Sequence, residues 1–177
     1  MTDENEADGW IEPQGDSKRA RKDRKRPAPH TERRNARILA MKVLYESDLT
    51  DHNWLDVLER TLSEDEIPVA TADYANRLAT GVMTNKVDID VHLREAAPAY
   101  PIRQLSPIDR NVLRLAIYEL SFEPDVPTRA VINEAVEMAK RFGGDNSSRF
   151  VNGVIGTIAT KFRSDGGEGR RKPKPGS

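Results

Sequence analysis

The sequence contains no cysteine, which excludes a disulfide framework and thiolate chemistry. No stretch approaches the roughly 18 consecutive apolar residues that a membrane span needs. The N-terminus lacks the apolar core of a secretory signal. A soluble, cytoplasmic protein that engages no membrane is therefore expected. No glycine-rich phosphate loop is present, since Gly143-Gly144 follows an apolar periodic segment instead of preceding one. His30, His52 and His92 have no partner at metal-ligand spacing, and there is no His-Glu-x-x-His. Carboxylates are plentiful, but nothing pairs two of them as acid and base. No alternating strand pattern of useful length occurs, nor any internal repeat. Together these absences point away from an enzyme, a metal site or a cofactor, and towards a helical binding protein.

What is present is helical periodicity. Ser106-Pro107-Ile108-Asp109 has the form of a helix start, with a hydroxyl cap, proline at the first position and an acid behind it. Ile108, Val112, Leu115, Ala116 and Leu120 then share one face, which Leu113, Ile117 and Tyr118 widen. Pro124 and Pro127 bracket a short connection. Thr128 can cap a second helix carrying Val131, Ala135, Met138 and Phe142, and Gly143-Gly144 should end it in the left-handed conformation. Asn146 or Ser147 starts a third, with Phe150, Val151, Val154, Ile155 and Ile158 on its apolar face. Gly153 and Gly156 in that helix suggest close helix packing.

Upstream, Thr31 can cap a helix to about Leu49, with Ala36, Ala40, Val43 and Leu44 inward. A shorter helix covers Trp54 to Leu62, with Leu55, Leu58 and Leu62 facing in. Another runs from about Thr71 to Asn85, where Gly81 costs about 1 kcal/mol against alanine and implies a close helix approach. Val87, Ile89 and Leu93 extend it or begin another, and Ala97-Pro98-Ala99-Tyr100-Pro101 breaks the pattern. The expected fold is all-α, a compact bundle of about seven helices in two small subdomains, 31–97 and 98–163. Residues 1–30, an acidic leader and a basic arm, and the tail 164–177 should be disordered, having too little apolar surface to offset chain entropy.

The formal net charge of −1 conceals an asymmetry. Lys18 to Arg37 holds ten basic residues and two acids, while Ile38 to Arg163 holds fourteen basic and nineteen acidic. A basic arm on an acidic body suits a polyanion binder, although such runs also serve as targeting signals or solubility tails. Arg33, Arg34 and Arg37 occupy the first turns of the first helix, where positive side chains oppose the helix dipole by roughly 0.3–1 kcal/mol each. Three there suggest a use other than stability; a solvated charged face is the plain alternative.

Particular strings add to this. Arg33-Arg34-Asn35-Ala36-Arg37 leads into Ala40-Met41-Lys42-Val43-Leu44-Tyr45. Asp109-Arg110-Asn111-Val112-Leu113-Arg114 continues to Tyr118-Glu119-Leu120, followed by Val126-Pro127 and Ile132-Asn133-Glu134-Ala135. Ala139-Lys140-Arg141-Phe142-Gly143 and Phe150-Val151-Asn152-Gly153-Val154 complete the series. From about Thr31 to Arg163 the chain resembles the NusB family of bacterial transcription antitermination factors. The resemblance implies a NusB-like fold that binds single-stranded boxA RNA of ribosomal RNA leaders. It also implies a complex with the ribosomal protein NusE and entry into the RNA polymerase antitermination complex. By the same resemblance the RNA face comprises Arg33, Arg34, Arg37, Asn146 and Phe150, and Asp109 is a candidate NusE contact. An unpaired base stacked on an aromatic such as Phe150 is worth roughly 1–3 kcal/mol. Read without the family, Phe150 is a core residue, Asn146 an N-cap, and Asp109 a dipole-stabilising acid. A protein-interaction module with an incidental basic arm, or an accessory RNA-binding domain of an RNA-modifying enzyme, are the alternative functions. Monomer and homodimer both remain open, since apolar helix faces can be shared either way.

Overall fold

Pro107–Phe122, α5 in the numbering used below, is the axis of the structure, a computed structural model that describes residues 29–64 and 66–169, except the side chains at 29 and 165–169. Ser106 caps the helix as its sequence suggests: its Oγ accepts the Asp109 N–H at 3.1 Å. Every side chain from Asn111 to Glu119 is buried, so the helix has no solvent face over its middle turns. That requires neighbours all round, and they come from most of the remaining chain.

The other helices are α1 (Pro29–Leu49), α2 (Trp54–Leu62), α3 (Val69–Thr84), α4 (Lys86–Ala96), α6 (Thr128–Phe142) and α7 (Ser147–Gly169), with a 3-10 turn at Ile102–Gln104. No strand occurs among the described residues, and none of their helices is long and apolar enough to cross a membrane. The chain is all-α, with seven α-helices in the described part. Packing falls into two groups joined through α5: α1 with α2 and α3, and α6 with α7. Helix α4 precedes the proline break, yet it packs chiefly on α5 and α7. One apolar core runs through both groups, including Ala40, Val43, Leu78, Val82, Leu115, Ile117, Val151 and Ile155.

Several local expectations are corrected. Helix α1 begins at Pro29, ahead of Thr31, because proline at a first helical position loses no hydrogen bond. Helix α7 continues past Arg163 to Gly169, with no proline before Pro173 to stop it. The leader and arm before residue 29, and the tail after 169, lie outside the described residues. Leu55 does not face in: it is 53% exposed, and Val57 and Leu58 are the buried residues of α2. Thr128 does not cap α6; it is the first helical residue, and Pro127 stands at the cap position. Gly143 is extended, at φ −91° and ψ −172°, not left-handed. Glycine suits it because a Cβ there would lie 2.4 Å from Ser147 Oγ. Gly153 and Gly156 meet nothing within 4 Å, so close packing does not explain them. Gly81 fits its expectation: a Cβ would fall 2.1 Å from the Tyr118 ring, so α3 and α5 approach closely there.

Candidate nucleic-acid interface

The three arginines at the start of α1 share a neighbourhood but not a role. Arg33 is exposed and makes no ion pair among the described residues; its guanidinium lies 5.6 Å from the centroid of the Tyr74 ring. Arg34 is half exposed and donates two hydrogen bonds to Glu134 of α6, at 3.0 and 2.7 Å. That pairing raises its pKa above the ordinary value, through the hydrogen bond first and the charge second.

Arg37 is set apart from the other two by its burial. It is 3% exposed and donates to both carboxylate oxygens of Glu119 on α5, at 2.7 to 3.0 Å. Glu119 is itself 2% exposed, and its Oε1 also accepts the Tyr74 hydroxyl at 2.5 Å. Burial works against the Arg37 charge, but the hydrogen bonds and charge of Glu119 outweigh it and hold the pKa above the ordinary value. Burial, followed by the neighbouring Glu119 charge, pushes the Tyr74 phenol far up, so it stays a proton donor. A guanidinium committed in this way serves the fold first, with Nε and Nη2 both given to Glu119. Arg37 fixes the start of α1 against α3 and α5, and thereby positions Arg33 and Arg34.

Tyr74 is a hub where helical spacing alone shows only a core residue. Arg77 also stacks on it, at 4.9 Å, and is held by two hydrogen bonds to Glu123. Three guanidiniums therefore surround one ring, each favoured by its π-face. Two of those three, Arg33 and Arg77, have exposed side chains.

Asn146 and Phe150 lie elsewhere, around the turn into α7. The turn is pinned by Ser147, whose Oγ accepts the Gly144 N–H at 2.9 Å and whose own N–H donates to the Gly144 carbonyl at 3.0 Å. Asn146 is exposed, and its carbonyl accepts the Phe150 N–H at 3.0 Å. Phe150 is half-buried: one side packs on the core, and its ring meets Tyr100 edge-on at 5.2 Å and 70°. Tyr100 is 56% exposed, and as part of a proline break it gives no sign of this partner. An aromatic set between prolines is the one signal the sequence offers for it.

Asp109 is 9% exposed, and its Oδ1 has no hydrogen-bond partner among the described residues. Its neighbour Arg110 and the buried Arg114 both reach Asp48 at the end of α1. Burial pushes the Asp48 carboxyl up, but Arg110, then Arg114 and Asn111, hold it below the ordinary carboxylate range.

Comparison with known proteins accounts for nearly all of this helical body. The NusB family model matches residues 34–160. The transcription antitermination protein NusB of Dehalococcoides mccartyi is 48% identical over 129 residues, covering 73% of this chain and 90% of the relative. That of Chloroflexus aggregans is 43% identical over 137 residues, covering 76% and 91%. Among solved structures, NusB of T. maritima superposes with a TM-score of 0.69 at 36% identity, covering 73% of this chain and 91% of that one. A complex of the antitermination factors NusB and NusE with double-stranded RNA superposes with a TM-score of 0.68 at 27% identity, covering 74% and 98%.

Proposed function

The chain belongs to the NusB family, and from that premise we propose that it is an RNA-binding transcription antitermination factor of the cytoplasm. It binds boxA RNA of ribosomal RNA leader transcripts together with NusE, and joins the RNA polymerase antitermination complex. It works by binding and performs no catalytic step. The observation that carries this reading is the match of nearly the whole helical body to proteins of that one function, covering 90% of the Dehalococcoides relative. The solved NusB–NusE–RNA complex supports both partner classes.

Within that reading the first RNA contacts are Arg33 and Arg34, with Asn146 and Phe150 at the turn into α7. Arg33 is the readiest of these, because its side chain is exposed and has no ion pair among the described residues, with its guanidinium resting 5.6 Å from the Tyr74 ring centroid. Arg34 must loosen its bond to Glu134, or share itself, to reach a phosphate. Beside the half-buried Phe150, the exposed Tyr100 ring offers a base a face to stack on. Asp109 remains the proposed NusE contact: its Oδ1 is buried with no hydrogen-bond partner among the described residues, so a small opening at the start of α5 would present it to an incoming donor. The acidic leader, basic arm and tail flank this body at both ends of the sequence.

Filter binding of boxA-like and scrambled RNA, to the parent and to an Arg33→Ala/Arg34→Ala variant, tests the assignment. Each single-strand phosphate that is no longer neutralised should remove about 0.7 from the log–log salt slope. Unchanged circular dichroism together with unchanged affinity would make both arginines a solvated face and no more.

A further inference from the structure

A cleft of about 900 Å³ lies beside the Phe150–Tyr100 pair, between the end of α1, helix α4 and the start of α5. Five cations line it, Lys86, Arg94, Arg103, Arg110 and Arg114, against two carboxylates, Asp48 and Asp90. Both carboxylates are already engaged. Arg110 and Arg114 hold Asp48, and Arg114 donates two hydrogen bonds to Asp90, at 2.8 and 2.9 Å. Lys86, Arg94 and Arg103 are left over. None makes an ion pair or a side-chain hydrogen bond among the described residues, and Arg94 and Arg103 are exposed.

Such an arrangement attracts an anion. Three uncompensated cations on the walls of one concavity repel each other, and low-dielectric walls focus their field into it. The Arg110–Asp48 and Arg114–Asp90 pairs brace the cleft without cancelling that field. The aromatic on its border decides which anion fits. Tyr100 lines the cleft and also touches Phe150, so the cationic channel and the aromatic face are one continuous surface. Cations tracking a backbone beside exposed rings are what an unpaired nucleic-acid strand requires. An acidic protein segment would use the charges, but planar bases joined to a charged backbone use the charges and the ring together.

We propose that this cleft holds the sugar–phosphate backbone of a second RNA segment, the nucleotides flanking the element recognised at Phe150, without reading their sequence. The proposal rests on the RNA-binding function above.

The test uses the full chain and two probes, a short boxA-like RNA and the same RNA extended by uridines at either end in turn. The parent should bind one of the extended RNAs more tightly than the short one, with a steeper salt dependence. Lys86→Ala/Arg94→Ala/Arg103→Ala should bind the short RNA as the parent does and show no gain from extension. Three phosphates neutralised on a single strand correspond to about 2 in the log–log salt slope, which the triple variant should lack. A control that keeps the charge, Arg94→Lys/Arg103→Lys, should retain most of the gain, which separates charge from fold. Three outcomes would overturn the proposal: no gain from either extension in the parent, a gain that survives the triple alanine variant, or a triple variant impaired only in NusE binding. If the parent failed to bind even the short RNA, the functional reading itself would fall and take this inference with it. A parent that binds the short RNA but gains nothing from extension would remove the cleft alone.

Discussion

Arg37 is where a structural role and an RNA-binding role can be separated cleanly. Arg37→Ala by itself cannot do it. It leaves the Glu119 carboxylate 2% exposed with its cation gone, and breaking one side of such a pair costs about 3–5 kcal/mol. In a domain of this size that is a fall in Tm of roughly 10–25 °C. Weaker RNA binding would then reflect unfolding as much as a missing phosphate partner. The informative variant removes the whole polar group: Arg37→Met, Glu119→Leu and Tyr74→Phe together. No buried charge or hydroxyl is then orphaned, and replacing a buried ion pair by apolar residues of similar volume is often close to neutral. Stability should return to within about 2 kcal/mol of the parent, read by urea unfolding followed by circular dichroism. The Tyr74→Phe substitution removes only the hydroxyl, so the aromatic ring would still support Arg33 and Arg77. RNA affinity and salt slope should therefore match the parent. A stable triple variant whose slope falls by about 0.7 would show that Arg37 reaches a phosphate after all, and its assignment to the buried pair alone would be wrong.

Other consequences can be read in the same assays. Gly81→Ala gains about 1 kcal/mol of helix propensity. Its methyl group meets the Tyr118 ring at 2.1 Å, so a net destabilisation of about 1–3 kcal/mol is expected; a variant at least as stable as the parent would contradict the close approach. The Asp48 carboxyl sits below its ordinary range, so its contribution is fully present above the unfolded value and is lost as pH falls through the lower folded one. Asp48→Asn should accordingly be less stable than the parent at neutral pH, with the gap closing on acidification; a gap independent of pH would remove the ion pair as its cause. Asp109→Asn keeps the shape of a nearly buried side chain and should weaken association with NusE while leaving binding of RNA alone intact. Equal NusE affinity for variant and parent would exclude Asp109 from that surface.

Much of the fold is legible in the sequence because it is locally encoded. Ser106 caps α5, Tyr74, Leu78 and Val82 are buried in register, and Gly81 marks the contact that its position suggests. The burial of Arg37 is legible too, although its charge and its place beside Arg33 and Arg34 argue for the surface. It stands three residues before Ala40 and seven before Leu44, so helical spacing already puts it on the inward face. Its partner Glu119 lies 82 positions away, and no local pattern could supply that. The same holds for Arg34 with Glu134, and for Tyr100 with Phe150: each residue is visible in the sequence, but not what it touches. Leu55 departs from expectation because 55, 58, 62 and 54, 57, 58 are both acceptable helical faces, and only packing against α1 selects the second. The glycines at the end of α6 and within α7 show the limit from the other side. Gly143 is chosen for space and not for a left-handed turn, and the open surroundings of Gly153 and Gly156 have no account in the packing of the chain.

The central claim is that this helical body recognises a particular RNA in concert with NusE. A titration of boxA-like and scrambled RNA against the full chain, each with and without NusE at physiological salt, tests it most directly. The boxA-like RNA should bind more tightly, with a further gain when NusE is present because two proteins then hold one strand. Equal affinity for the two RNAs, unchanged when NusE is added, would contradict it.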